Sequence, residues 1–156
     1  MRAPAFDQPG FQLRLGRLAD QALLLTFMQK TYREAYPQCQ IEHLAETVSQ
    51  YWSKDSPVWF VASVEAPAIA CLWLGRAIDQ VTGEHYTHVL LLYVMPAYRR
   101  QGIGTALMRQ AEAWAKERRD RKLGLQVFET SQPAQALYTH LGYTTHARTL
   151  IKPLQS

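Results

Sequence analysis

The 156-residue sequence contains only two cysteines, Cys39 and Cys71. A small domain held together by disulfides needs more, so we expect both side chains to be free thiols in a reducing compartment. The chain also lacks a run of about 18 apolar residues, which a membrane-spanning helix requires. Its early apolar stretch, residues 23–28, has neither the basic flank nor the cleavage site of a signal peptide. These absences predict a cytoplasmic protein with no membrane partner.

The excess of positive charge is small, because the chain has 17 Lys and Arg residues and 13 Asp and Glu residues, which gives a net charge of +4. This balance suits an anionic ligand. The arginines gather at one helix start and near residue 120 without a nucleic-acid reader motif, so we expect no nucleic-acid partner. No linker or repeat divides the chain, which predicts one domain over 1–156. Residues 1–10 contain Pro4, Pro9 and Gly10 and are expected to be loose.

Hydrophobic periodicity predicts an α/β fold, an α+β sandwich in the order β-α-α-β-β-β-α-β-α-β. Antiparallel strands come first, and a strand-helix-strand crossover lies in the middle. The almost unbroken apolar run at 88–94 is typical of a strand that is covered on both faces. The predicted strands are 11–15, 58–64, 68–75, 88–94, 123–128 and 144–154, and the predicted helices are 20–36, 41–48, 103–119 and 131–142.

The segment between the 88–94 strand and the following helix carries the clearest chemical signal. Glycines at a helix start let an anion approach unpaired backbone N–H groups and the positive end of the helix dipole. Two adjacent arginines add charge there, which predicts a pyrophosphate site. A P-loop lysine is absent, and Leu107 stands where a dinucleotide fingerprint has a small residue, although Glu129 fits the acidic position of that fingerprint. The structural alternative is a glycine turn with solvated arginines. The segment comprises Arg99, Arg100, Gln101, Gly102, Ile103, Gly104 and Thr105.

Two motifs follow one another along the chain. The first is Arg99-x-x-Gly102-x-Gly104, which follows a strand ending in Val94-x-Pro96, and the second is Ser131-x-x-Ala134-x-x-Leu137-Tyr138-x-x-x-Gly142-Tyr143. In this order they resemble the signature motifs of the GCN5-related N-acetyltransferase (GNAT) family, although the second has Ser for the usual Asn at its start and Tyr for the usual Phe at its end. The resemblance implies the family's fold, a mixed, mostly antiparallel twisted sheet with helices on both faces.

The resemblance implies acetyl-CoA, or another acyl-CoA, as a co-substrate. Its pantetheine arm would bond to strand backbone at Leu92, Tyr93 and Val94, and Ser131 stands where the family's Asn often contacts that arm. The resemblance also implies that Tyr138 protonates the leaving thiolate, whereas its place among apolar residues on one helix face is equally compatible with a core side chain. The pyrophosphate would be held by backbone amides from Arg100 to Thr105.

A general base is harder to assign, because the strand before the loop has leucines at 90–92 where relatives often have a carboxylate. The candidates are Glu84, His85, His88 and Glu129. His88 is preferred because the unperturbed pKa of an imidazole is about 6.5. A core-edge histidine and a water chain are the alternatives. His85 and His88 face opposite sides of a strand and lack a third ligand, so no metal is expected.

The sequence therefore predicts an acyl-CoA-dependent N-acyltransferase that moves acetyl to a primary amine by direct attack in a ternary complex. The alternative is a catalytically inactive CoA-binding regulatory module. The acceptor would be a small-molecule amine or a peptide amine, and the chain a monomer or homodimer. Aromatic residues could line the acceptor pocket, although most are expected in the core: Tyr32, Tyr36, Trp52, Trp59 and Trp73.

Overall fold

The structure, a computed structural model, describes residues 6–155. It divides into two compact units, one up to Gln126 and one from Val127 onward, and the prediction of a single domain stays a prediction. The first unit holds all the strands. Its elements are β1 (Phe11–Leu15), α1 (Gln21–Ala35), α2 (Leu44–Tyr51), β2 (Val58–Ser63), β3 (Ala70–Ile78), β4 (His85–Val94), α3 (Ile103–Glu117) and β5 (Leu123–Leu125), with short 3-10 turns at Leu18–Asp20 and Pro96–Tyr98.

The five strands form one sheet in the order β1-β2-β3-β4-β5. The first three pairs are antiparallel and the β4–β5 pair is parallel. This confirms the mixed, mostly antiparallel sheet. The turn between β2 and β3 is closed at Ser63, whose amide donates to the Ala66 carbonyl at 2.9 Å and whose hydroxyl accepts from the amides of Glu65 and Ala66.

Helices cover both faces of the sheet. Side chains alternate across a strand, so Val58 and Phe60 of β2 pack under α1 and α2 while Trp59 points the other way. The Phe27 and Phe60 rings lie 6.2 Å apart on the first face. On the second face the Trp59 ring meets Trp114 of α3 at 5.4 Å, edge to face. Fully burying a side chain such as Phe60 stabilises the fold by about 1.5–3 kcal/mol.

The hairpin of β3 and β4 is longer than its hydrophobic pattern predicted. The predicted strands end at 75 and begin again at 88, but β3 continues to Ile78 and β4 begins at His85. The connecting turn is closed by the Asp79 carboxylate, which accepts from the Val81 and Thr82 amides. This end of the hairpin mixes apolar residues such as Ala77 and Ile78 with polar ones such as Arg76 and Thr87, so its sequence lacks the apolar run that marks the centres of both strands. Backbone pairing with the neighbouring strand extends both strands.

The second unit contains α4 (Gln132–His140), and its chain leaves the helix through Gly142 at φ +94°. The predicted strand over 144–154 is wrong, because these residues form neither helix nor strand. Likewise β5 ends at Leu125 and not at residue 128. A strand needs a neighbouring strand to satisfy its backbone hydrogen bonds. The alternation of side chains such as Thr149 and Ile151 does not provide that neighbour. Ile151 is 81% exposed.

Three smaller features concern the N-terminus, the cysteines, and membrane or metal sites. Residues 1–5 of the segment expected to be loose lie outside the described residues, while Phe6 is buried. Both cysteines are free, as predicted, and burial raises the pKa of the Cys71 thiol. Among the described residues, no helix is long and apolar enough to cross a membrane, and no cluster of His, Cys, Asp and Glu side chains could hold a metal.

Candidate functional site

One edge of β4 is left without a strand partner. β5 pairs only with Thr87, His88 and Val89, so within residues 6–155 no strand pairs with Leu90–Val94 on that side. On the other side β3 pairs Leu74 with Val89 and Trp73 with Leu91, which leaves Leu90 as an extra, bulged residue. A free strand edge offers alternating N–H and C=O groups to an extended ligand. The predicted coenzyme contacts at Leu92, Tyr93 and Val94 all lie on this edge.

The glycine-containing loop ends at the start of α3, as the sequence predicts. α3 begins at Ile103, after Gly102 in the left-handed region at φ +82°, and no side chain caps the helix. The first helical bond runs from the Ala106 amide to the Gly102 carbonyl at 3.0 Å. The amides of Ile103, Gly104 and Thr105 therefore have no acceptor within the helix, and such a helix start binds anions.

The two glycines serve different purposes. Gly102 needs its left-handed backbone, which a side chain would strain. Gly104 has an ordinary helical conformation in the first turn of α3, so its small size is the property that matters there. Arg100 also has a positive φ of 64°, and alternating left-handed residues turn successive N–H groups toward one concave surface. The Gln101 carbonyl is occupied by the Gln8 side-chain amide, which donates to it.

The two arginines of the loop have different surroundings. The Arg99 guanidinium forms an ion pair with Glu34 of α1 at 2.9 Å and donates from Nε to the Val94 carbonyl at 2.7 Å. Its charge is thus compensated by a carboxylate. Arg100 is exposed and forms no ion pair with any residue of the described chain. Of the two charges expected at the loop, Arg100 supplies the uncompensated one.

His88 lies on β4 one residue before the last pair with β5. Its strand neighbours are Gly75 of β3 and Gly124 of β5. The Nδ1 atom is buried and has no hydrogen-bond partner within residues 6–155. Burial lowers the pKa of His88 below its usual 6.5, so the imidazole is neutral at pH 7 and one ring nitrogen can accept a proton. Of the other candidates, His85 is exposed and Glu84 pairs with Arg121 at 3.3 Å.

The remaining predicted site residues lie in the second unit. Glu129 is exposed, and its carbonyl accepts from the Gln135 side chain at 2.7 Å. Ser131 stands just before α4, and its side chain makes no capping hydrogen bond. Tyr138 is half-buried on α4, with its ring 6.0 Å from that of Tyr143, edge to face. Burial raises the pKa of Tyr138 to about 12, so its hydroxyl keeps its proton at neutral pH.

A groove of about 710 Å³ adjoins the bulged residue Leu90. Asp55 is the one carboxylate among its lining residues, and its side chain is 75% exposed, with Arg118 at 3.5 Å. The Ser56 hydroxyl is already committed, since it donates to the Leu74 carbonyl at 2.7 Å and accepts from Trp73 Nε1 at 2.8 Å. The groove is lined by Tyr51, Ser53, Asp55, Ser56, Gly75, Arg76, Ile78, His85 and Leu90.

The sequence did not predict most of the residues that line this groove. The aromatic residues considered for the acceptor pocket lie mostly in the core, as expected, because Trp59 and Trp73 are buried and Tyr32 and Trp52 pack against the core below α1 and α2. The only available signal was the polar segment at 53–56 between a helix and a strand, and such segments are common in loops.

Several solved structures that align with this chain are named as acetyltransferases. Aminoglycoside 6'-N-acetyltransferase AAC(6')-Ih from Acinetobacter baumannii aligns with a TM-score of 0.71 and 21% identity, over 94% of this chain and 99% of that one. A predicted acetyltransferase from Clostridium acetobutylicum, solved with acetyl-CoA, aligns with a TM-score of 0.76 and 16% identity, over 92% and 96% of the two chains. At these low identities, the structural alignments show a shared fold.

The family itself is shown by sequence. The model of the acetyltransferase (GNAT) family matches residues 24–143, so the chain belongs to this family. Aminoglycoside N(6')-acetyltransferase type 1 from Acinetobacter haemolyticus is 36% identical over 81 residues, which are 50% of this chain and 55% of that protein. The chain thus matches about half the length of this curated relative.

Proposed function

We propose that this protein is an acetyl-CoA-dependent N-acetyltransferase whose acceptor is a primary amine on a small, hydroxyl-rich polycation of the aminoglycoside type. The observation that carries the proposal is the free edge of β4 at Leu90–Val94, which leads directly into the uncapped start of α3. An extended pantetheine arm suits the edge, and a diphosphate suits the helix start. Membership of the GNAT family supports this donor.

The groove beside Leu90 supports a small acceptor. Its volume of about 710 Å³ lies within the range of about 300–1,000 Å³ that is usual for small-molecule sites. Asp55 would bind one ammonium group, and the hydroxyls of Tyr51 and Ser53 would bond to sugar hydroxyls. The A. haemolyticus relative is named for transfer to the 6'-amine of aminoglycosides, which is the reason to propose that acceptor class.

The chemistry would proceed by direct attack. An ammonium substrate gives a proton to the base, and His88, neutral with an unpartnered Nδ1, is the candidate for that role. The amine nitrogen then attacks the thioester carbon, and backbone N–H groups on the free edge of β4 would stabilise the oxyanion. The attacking nitrogen becomes positively charged and gives up its second proton to water, and collapse of the intermediate then forms the amide and expels the CoA thiolate. By its place in the family motif, Tyr138 is the candidate that donates a proton to that thiolate and regains one from water, and its hydroxyl is protonated at neutral pH.

The donor can be tested without any knowledge of the acceptor. Acetyl-CoA and CoA should raise the melting temperature of the protein, because a ligand that binds only the folded state stabilises it by mass action. NADH and ATP should do so much less. Equal shifts from all four compounds would indicate a general anion site and contradict the proposed donor.

The acceptor is tested by an amine panel with acetyl-CoA, read by the release of free thiol. We expect turnover with aminoglycosides that carry a 6'-amine and none with an analogue that has a hydroxyl at that carbon. Peptides with a free N-terminal amine or a lysine form the other arm, and turnover of these alone would reassign the acceptor. CoA binding without turnover of any amine would favour the regulatory module, which the absence of a carboxylate at Leu90–Leu92 keeps as the second candidate.

A further inference from the structure

Glu34, near the end of α1, connects three parts of the proposed coenzyme site. Its carboxylate accepts hydrogen bonds from Arg99 Nη2 at 2.9 and 3.0 Å and from the Tyr93 hydroxyl at 2.8 Å. Arg99 begins the glycine loop, and its Nε donates to the carbonyl of Val94 at 2.7 Å. Tyr93 and Val94 are the last two residues of the free β4 edge. One carboxylate thus joins α1, the edge and the loop.

The surroundings of this cluster hold it in one arrangement. Tyr93 is 5% exposed, and its ring packs against Phe27 of α1 with centroids 5.7 Å apart. The Arg99 guanidinium carbon lies 5.4 Å from the centre of the same Tyr93 ring. The Glu34 and Arg99 side chains are 43% and 41% exposed, so their ion pair contributes little to folding. A small contribution to folding is compatible with an effect of the ion pair on the orientation of the loop.

We propose that Glu34 is a positioning residue for the diphosphate loop. By holding the Arg99 guanidinium against the Val94 carbonyl, it sets the loop amides at a fixed place relative to the β4 edge. The pantetheine arm on the edge and the diphosphate at the helix start belong to one ligand, so that ligand must contact both places at once. A preorganised distance between the edge and the loop amides therefore favours binding. This inference rests on the proposed coenzyme site.

The alternative role of Glu34 is electrostatic and predicts the opposite result. Removing the carboxylate charge frees the positive charge of Arg99 close to an anion site, and neutralisation alone would then make CoA bind more tightly. Positioning predicts weaker binding. Any loss should be confined to ligands that carry the diphosphate, because Glu34 contacts the edge directly at the Tyr93 hydroxyl, whereas the pantetheine arm would bond to the strand backbone. S-acetyl-pantetheine, which lacks the diphosphate, separates the two parts.

The test measures CoA affinity by calorimetry, and displacement of CoA by S-acetyl-pantetheine, for wild type, Glu34→Gln, Glu34→Asp and the control Glu46→Gln, an exposed carboxylate on α2. We expect Glu34→Gln to raise the Kd of CoA about threefold to tenfold and to leave the affinity for S-acetyl-pantetheine unchanged. Glu34→Asp should recover part of the loss, and Glu46→Gln should behave as wild type.

Several results would overturn the inference. Tighter CoA binding by Glu34→Gln would assign the residue to charge neutralisation, and equal losses for both ligands would indicate a general structural defect. An unchanged Kd for CoA would show that the loop orients itself without Glu34. Failure of the wild type to bind CoA would instead overturn the proposed function, and this inference with it.

Discussion

Val89 of β4 pairs with Leu125 of β5, and beyond this pair the two parallel strands share no further partners. β5 ends at Leu125, whereas β4 runs on for five residues to Val94. The bulge at Leu90 falls immediately after the separation, and the groove with Asp55 adjoins it. In the proposed enzyme the thioester would lie at this point, beside the groove that would hold the acceptor.

The diphosphate site can be tested at Gly104. We expect Gly104→Val to abolish CoA binding, because a β-branched side chain in the first turn of α3 covers the free amides. The fold should survive, since valine in a helix costs less than about 1 kcal/mol. Calorimetry with CoA and a melting curve measure both properties. Arg109→Val, an exposed site further along α3, is the control, and unchanged CoA affinity in folded Gly104→Val would falsify the diphosphate role.

The base is tested through the pH dependence of the rate. Because burial lowers the pKa of His88, kcat/KM should be flat near pH 7 and fall only below pH 6.5, as the imidazole becomes protonated. His88→Gln should lower the rate at pH 7.5 by about 100-fold or more and remove this acidic limb. His43→Gln, at an exposed histidine, should change neither. An acidic limb that persists in His88→Gln would assign proton removal to water.

The same shift predicts the direction of a stability change. The folded state holds the His88 proton less tightly than the unfolded chain does, so between the folded pKa and about 6.5 the unfolded state binds more protons. Stability should therefore fall as the pH drops through this window. Melting temperatures from pH 7.5 to pH 5 should decrease less for His88→Gln than for wild type. A parallel decrease in the two proteins would contradict the buried, neutral imidazole.

The acceptor groove is tested at Asp55. This carboxylate is largely exposed, and Arg118 lies 3.5 Å away, so Asp55→Asn should leave the melting temperature nearly unchanged. If Asp55 binds the substrate ammonium, the KM for the amine should rise about tenfold while the Kd for CoA stays the same. Asp7→Asn, at another exposed carboxylate, is the matched control. An unchanged KM would place the amine elsewhere.

Tyr138→Phe separates a proton donor from a packing side chain. Phenylalanine keeps the ring that meets Tyr143 and removes only the hydroxyl. As a proton donor, Tyr138 predicts a fall in kcat of about 100-fold or more with little change in CoA affinity. The fall should shrink with an activated thioester, whose leaving group needs no proton. A rate within about twofold of wild type, with the same melting temperature, would make water the donor.

Much of the fold could be predicted from local patterns, and the errors have a common cause. Alternation and helical spacing placed β1, β2, α1 and α3 within a few residues of their observed ends. The segment 144–154, where a strand was expected, is exposed, as Leu150 at 89% exposure shows, and it pairs with no strand of the described residues. The hairpin ends at 76–78 and 85–87 show the converse, since segments without a strong hydrophobic pattern form strands there because a partner strand is present. Strand formation depends on a neighbour that may lie far away in sequence.

By itself, the sequence determined the uncapped helix start with Gly102 before it, the apolar strand that leads to it, and the family motifs in their order. These features depend on backbone preferences and side-chain periodicity within a few residues of one another. Only the tertiary structure decided that the charge of Arg99 is compensated by Glu34, which lies 65 residues away in the chain. It also decided that β4 bulges at Leu90, next to the groove that Asp55 lines. Such contacts join distant segments, so their geometry follows from the packing of the whole sheet and its helices.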